Sequence, residues 1–431
     1  MLKRIILLSA VALTALCATA QTSGEVRGKA RHPKQFVGPN EPIGEGRGVH
    51  PGRVAWIHAP GVASWDGETG LWVEDRWNSQ TKADAMVRAA VTTLAGKKSA
   101  AKAWRALFAD FNKTHGRGNR GYQRGEKIAV KLNMNNSTAH SETVELNSSP
   151  FVTLALVRSL VNDGGVAPGD IVICEPSRAI TDSIYNKVYR EFPDVTFVDN
   201  IGGDGRLKCE YYENRITYST DNGRMARGLA RCIVDADYLI NSALLKLHNG
   251  PGVTLTAKNW YGATDIALQW RQNAHNNISQ DKRHGKPGYK TFVDWMGHKD
   301  MGGKCLLFLI DGTYGSRGVN GAPAGQWKTP PFDGGWCCSL IVSQDGVACD
   351  AVAMDMLIGE WPDYGSLNYC DEYLREAASL PAAPSGTVYL QDGKPVTRPL
   401  GLMEHWNNAR ERKYEKIELV YKKVKSLFSA E

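Results

Sequence analysis

Apolar residues recur along the chain in two rhythms. Between Lys82 and Leu94, the residues Ala83, Met86, Val87, Ala90, Val91 and Leu94 fall three and four apart, the stripe of an amphipathic helix. Helices are also predicted over Ala100–Phe111, Pro150–Leu160, Asp182–Phe192 and about Val347–Ile358. Short apolar runs without that period read as strands. They are Arg53–Gly61, Ile128–Leu132, Asp170–Ser177, Val195–Asn200, a run centred on Leu239 and Ile240, the stretch CLLFLIDGTYG ending near Asp311, and Leu340–Ser343. Several are apolar on both parities, as strands covered on both faces are. From Ile128 onward strand and helix alternate, which predicts an α/β fold: a mostly parallel sheet with covering helices, an N-terminal arm and long loop insertions. One α/β domain is expected over residues 53–380, with residues 381–431 as an extension packed on the core. The closing segment KIELVYKKVKSLF reads as a strand or short helix.

The N-terminus follows a different pattern. Lys3 and Arg4 precede an apolar run from Ile5 to Leu16 that is short for a membrane span. Ala18-Thr19-Ala20 then offers a cleavage site. Residues 1–20 therefore read as a signal peptide and residues 21–52 as an extended arm or linker. The mature protein is expected in the periplasm or outside the cell, and it is not expected to be an integral membrane protein. Leu16 is bulky where lipidation at Cys17 would call for a small residue. The formal charge of +7 suits an anionic small molecule or polyanion. No long basic tract marks a nucleic-acid arm, so no nucleic-acid partner is expected. The full sequence has nine cysteines, and the eight that remain after removal of Cys17 with the signal peptide can form disulfides in an oxidising compartment. Cys209 with Cys232, or Cys337 or Cys338 with Cys370, are candidate pairs, and the connectivity stays open. With no tight C-x-x-C run, an iron–sulfur cluster is not expected.

Polar residues gather where the predicted strands end, the edge of a parallel sheet that receives ligands. Lys131 and Asn133 close one strand, Lys246 and His248 another, and Lys258 and Asn259 follow shortly. Lysines suit an anionic group and asparagines orient it. His248 is the expected acid–base group because its ordinary pKa lies near neutrality. The expected catalytic set is His248, Lys246, Lys258 and Asp311. Lys131, Asn133, Asn259, Trp65 and Trp72 are the expected substrate contacts, the tryptophans as cleft walls or as a lid on the core. A divalent metal ion is a candidate cofactor, with Asp311, Asp345, His275, His284 and His298 as its ligands. Asp345 also reads as a helix cap. The expected function is an exported enzyme acting on a small anionic or carbohydrate-like substrate, by hydrolysis with or without a metal. The competing expectation is a non-catalytic module that binds a glycan or a protein.

The stretch DADYLINSALLKLHNGPGVTLTAKNWYG resembles the central signature of the DUF362 family, a domain of unknown function. The matching positions are Lys246, His248, Thr254, Lys258, Asn259 and Gly262. LIDGTYGSRGVNGAPAG resembles the family's Asp-Gly segment, and Ser343, Asp345 and Asp350 match its final element. The resemblance spans about Lys127 to Gly359. Some relatives carry iron–sulfur domains, and this chain departs from them in lacking the ferredoxin cysteine run. The resemblance implies a fold and a site but no reaction.

Overall fold

The structure is a computed structural model that describes residues 41–135, 137–220, 228–265, 288–318, 320–323, 325–364 and 370–424. The expected signal peptide and most of the arm lie outside them. The first strand of the main sheet in chain order, β1 (Arg53–His58), leads into two helices, α1 (Gln80–Ala95) and α2 (Ala100–Thr114). The Ser79 and Ser99 hydroxyls accept the amides of Lys82 and Lys102, which fixes where each helix starts. Gly96, at φ 61°, takes the left-handed turn that ends α1. Strands and helices then alternate: β2 (Ile128–Lys131), α3 (Pro150–Arg158), β3 (Ile171–Glu175), α4 (Asp182–Tyr189) and β4 (Thr196–Asp199). A two-residue strand, β5 (Leu207–Lys208), and a single turn, α5 (Arg231–Val234), follow. Next come β6 (Tyr238–His248), β7 (Gly252–Thr254), the one-turn α6 (Thr256–Asn259) and α7 (Thr291–Gly297). The last part holds β8 (Cys305–Ser316), β9 (Ser339–Ser343), α8 (Gly346–Glu360), α9 (Glu372–Ala378) and β10 (Glu418–Lys423).

One ten-stranded sheet joins these strands in the order β10-β1-β9-β8-β6-β2-β3-β4-β5, with β7 paired beside β6. The sheet is mixed. β8, β6, β2, β3, β4 and β5 pair in parallel with their neighbours in that run, as β10 does with β1. β9 runs antiparallel to both β8 and β1, and β7 turns back antiparallel on β6. That return explains why β6 extends to His248, beyond the apolar run centred on Leu239 and Ile240: the hairpin satisfies the backbone of its last residues.

Helices cover both faces. On one, α1, α2 and α3 bury Met86, Trp104, Leu107 and Val157 against Ile57, Val130, Ile173 and Leu309. On the other, α7, α8 and α9 bury Trp295, Val352, Leu357 and Leu374 against Ala129, Leu239 and Ile310. Double coverage is why these strands read as continuous apolar runs. Leu400, Trp406 and Ile417, from the C-terminal residues, join the second core. Among the described residues no helix is long and apolar enough to cross a membrane.

Helix α8 acts as a post for the site side of the sheet. Asp345 caps it, accepting the amides of Val347 and Ala348 at 3.0 Å, and also takes the amides of Arg47 and Leu402. One turn on, Asp350 accepts the Thr256 amide at 2.8 Å, the Thr256 hydroxyl at 2.7 Å, the Ala257 amide at 3.0 Å and the Tyr373 hydroxyl at 2.9 Å. It thereby holds the first turn of α6, which carries Lys258 and Asn259. Asp350→Ala should strand those buried donors and lower stability in urea unfolding by about 2–4 kcal/mol, while Tyr373→Phe should cost about 1 kcal/mol. Equal effects of the two changes would show that Asp350 does not hold α6.

Candidate functional site

In the parallel run, β2 is followed by β3 on one side, whereas β6 takes the place on its other side. The crossover helices α3 and α4 pack on one face, and α7, between β6 and β8, packs on the other. The chain order therefore reverses between β2 and β6. A crevice opens at such a switch point, beyond the carboxyl ends of the strands. Lys131 and Asn241 are direct neighbours across this seam.

Side chains from β2, β3 and α6 close on it. Lys131 Nζ donates to Glu175 Oε2 at 3.0 Å, to the Leu132 carbonyl at 2.7 Å and to Asn259 Oδ1 at 3.1 Å. Glu175 also accepts the amides of Met134 and Ser177, and the Ser177 hydroxyl at 2.7 Å. The Asn259 amide group donates to Asn241 Oδ1 at 2.8 Å, so its oxygen must face Lys131 and Asn133, whose Nδ2 reaches it at 3.1 Å. Asn133 is then turned so that its own Oδ1 is buried and, among the described residues, has no hydrogen-bond partner. Arg178 donates to the carbonyls of Asn135 and Ser177. Lys258 Nζ lies 4.2 Å from the centre of the Tyr261 ring. Gly262 floors the site. A Cβ there would come within 2.8 Å of Glu175 Oε1 and Ser177 Oγ, and 2.9 Å of Lys131 Nζ.

These residues line a cavity of about 30 Å³, roughly the space of one or two waters or of the oxygens of a small anionic group. Its electrostatics are one-sided. Burial, then the charges of Lys131, Lys246 and Arg178, push the Lys258 ammonium down to about 7, against the pull of Glu175. Burial pushes Lys246 down to about 8, opposed by Glu145. A lysine brought that close to neutrality can hold or release a proton at ordinary pH. A larger cavity of about 430 Å³ lies at the opposite end of β8, beside Arg47, His115 and Gly303. Its size does not make it the better site. His115 is spent on the carbonyls of Phe111 and Gly303, and Arg47 on that of Pro399.

Lys131, Asn133, Lys258 and Asn259 thus come together as the sequence leads one to expect, with Lys246 close enough to act on Lys258. Glu175, Ser177, Arg178, Tyr261 and Gly262 complete the cavity. The other expected residues stand elsewhere. His248 sits at the tip of the β6–β7 hairpin, where its Nδ1 accepts the Gly250 amide at 2.9 Å, and it does not line the cavity. Asp311 is buried beneath α3, accepting the Ser149 amide and the Thr313 amide and hydroxyl, and burial raises its pKa. Trp65 and Trp72 are core residues. Trp65 stacks on Trp336 at 6.4 Å, and Trp72 packs edge-on against Tyr314 at 5.3 Å. A loop rich in tryptophan reads equally as a platform or a lid, and here it is a lid.

The described members of the expected metal set, Asp311, Asp345 and His298, are not grouped to hold an ion. Phe308 pairs with Ser343 and Asp311 with Leu340, so Asp345, beyond Ser343, lies toward the opposite end of the strands from Asp311. Its four backbone partners are those of a cap. His298 accepts the Asp300 amide through Nδ1 and bonds the Arg215 carbonyl through Nε2. His275 and His284 lie outside the described residues. Among the described residues, no three His, Cys, Asp or Glu side chains are grouped to hold a metal ion.

No curated protein and no solved structure matches the chain. A family model described as "Domain of unknown function (DUF362)" matches residues 128–355, more than half of the 431. The match begins at the strand that delivers Lys131 and ends on the helix that holds α6 in place, so it takes in all the residues of the switch-point cavity. The chain belongs to the DUF362 family.

Proposed function

We propose that the switch-point cavity binds the anionic group of a small substrate, and that the protein is an exported enzyme in which Lys258 exchanges a proton with that substrate. The observation that carries this is the convergence of Lys131, Lys258 and Arg178 on one small cavity, with Lys246 close behind. An anion there would relieve the mutual repulsion of these charges. Asn133 Oδ1 supplies a buried acceptor for a donor on the same ligand, such as a hydroxyl. Carboxylate, sulfate and phosphate groups share the required chemistry. Lys258 replaces His248 as the acid–base group because it faces the cavity. The glycan- or protein-binding alternative rests on the tryptophan-bearing loops and on the lack of a recognised catalytic motif, and the burial of Trp65 and Trp72 weakens the first of these grounds.

Anion binding should raise the pKa of Lys258 from about 7, so binding should take up protons just above pH 7 and cease to do so near pH 5. Titration calorimetry with sulfate, run in buffers of different ionisation enthalpy, measures this uptake. Binding without uptake at pH 7.5 would remove Lys258 from the site. Lys258→Met should abolish the uptake and reduce turnover of any small anionic substrate by about 100-fold or more.

The same variant should melt higher than the parent at pH 6. Here the folded pKa is depressed, so between about 7 and the ordinary lysine value the unfolded chain binds more protons than the folded one. The parent therefore gains stability as pH rises through that window. Its deficit relative to Lys258→Met should be largest below pH 7 and shrink towards pH 10. A constant difference across that range would contradict the burial of a titrating lysine.

Gly262→Ala should push Glu175 and Ser177 into the cavity and weaken sulfate binding by about tenfold or more, with circular dichroism unchanged. Unaltered binding would place the ligand elsewhere. For the exported protein, mass spectrometry should find Gln21 as the first residue, and an intact Met1 would refute export by cleavage after Ala20.

A further inference from the structure

Three cysteines far apart in sequence meet behind β3. Cys174 lies in β3, immediately before Glu175; Cys209 follows β5; and Cys232 lies in the single turn of α5. The Cys209 and Cys232 thiols hydrogen-bond each other, and Cys232 also hydrogen-bonds Cys174. All three are thiols in the structure. Cys174 and Cys209 are buried, while Cys232 is partly exposed and packs against the same core.

The backbone around them has a definite register. Tyr211 pairs antiparallel with Ala230, and Tyr212 with Leu229. The same register continues outward, where the Arg231 amide donates to the Glu210 carbonyl at 2.8 Å. Cys209 and Cys232 directly flank that bond, Cys209 as the residue before Glu210 and Cys232 in the turn of α5 that Arg231 opens. The backbone bond between their neighbours and the contact of their thiols bring the two cysteines side by side. Cys174, by contrast, is fixed in a strand paired on both sides by β2 and β4.

We infer that Cys209 and Cys232 are a disulfide-forming pair, closed in an oxidising compartment, with Cys174 left as a reduced thiol beside them. The two S–H bonds break and one S–S bond forms. Two electrons and two protons pass to a thiol–disulfide oxidant, which is reduced to two thiols. The hydrogen bond from Cys232 and then burial hold Cys209 in the protonated form, and Cys174 and then burial do the same for Cys232, so the pair should close during folding, before the cluster is buried, rather than in the finished protein. Once closed, it would tie the segment after β5 to the start of α5. Tyr211, two residues beyond Cys209, already donates to the Pro176 carbonyl at 2.7 Å, next to Glu175. The link would therefore brace the strap that packs against the carboxylate side of the cavity.

The full chain, refolded in a glutathione redox buffer, should be alkylated under denaturing conditions and digested without reduction. Mass mapping should find the peptides of Cys209 and Cys232 joined, with the loss of two hydrogens, and Cys174 alkylated. Three alkylated thiols, a link that includes Cys174, or a stoichiometric zinc ion on the native protein would overturn the inference. Cys209→Ser and Cys232→Ser should each lower the melting temperature by several degrees under oxidising conditions. The double variant should do no worse than either single one, and the parent treated with reductant should fall to the same value. Additive losses that persist in reductant would mean that the residues serve as packing and not as a bond. Cys174→Ser should leave the link intact, and its loss in that variant would also overturn the assignment.

Discussion

Glu175 is the negative charge on which the seam between β2 and β6 depends. It is buried, and it takes Lys131 Nζ at 3.0 Å together with two backbone amides and a hydroxyl. A buried lysine without such a partner would lose its proton or force the seam open. With the partner, Lys131 stays in place and its remaining bonds set the direction of Asn259. The Asn259 amide then spans β2, β6 and α6, donating to Asn241 and accepting from Lys131 and Asn133. Removing either half of the Lys131–Glu175 pair would leave the other charge buried and unpaired, which costs several kcal/mol.

Glu175 does not balance everything around it. Lys258 and Lys246 are depressed by burial, and Lys258 also by the neighbouring cations. The scaffold holds α6 in this unfavourable place from outside, through three hydrogen bonds to Asp350 on α8, which Tyr373 holds by a fourth. Asp350 is itself pushed up to about 6 by burial. Stability is thus given up at the cavity and maintained by the core behind it, a pattern expected where a site is preorganised for a charge it has yet to meet.

Much of this was legible in the sequence, for a physical reason in each case. Ile128–Lys131, Ile171–Glu175 and Thr196–Asp199 are covered on both faces, so they stand out as apolar runs with polar residues where they end. Lys131, Asn133, Lys258 and Asn259 were visible as polar residues in apolar surroundings. Asp345 could be read as a cap because it directly precedes the apolar run of α8. What was hidden depended on pairing. Nothing local says that β9 is antiparallel, or that β7 folds back and carries His248 out to a hairpin tip. The alternation that puts Lys246 and His248 on one face holds only while the strand lies within the sheet. Glu175 was visible as a strand end. Its role was not, because its partner is 44 residues away and meets it through a crossover. Gly262 gave no chemical signal at all, since its contribution is the space that a methyl group would fill.

The seam also explains why the cavity can be small and still serve as a site. Parallel strands joined by crossovers on one face leave no opening between them, because each helix covers the gap beside the next. The gap between β2 and β6 differs, since the helices on its two sides pack on opposite faces. Lys131 and Asn241 face each other across it, and α6 comes down over its end, carrying Lys258 and Asn259 to within bonding reach of both strands. The opening is therefore filled almost entirely by side chains that already bond one another. What remains is about 30 Å³. A space of that size selects for the charge and hydrogen-bonding pattern of one group on a ligand rather than for the shape of the whole molecule. Under the proposed reading, the rest of a substrate would lie outside this space, which Arg178 and Tyr261 also line.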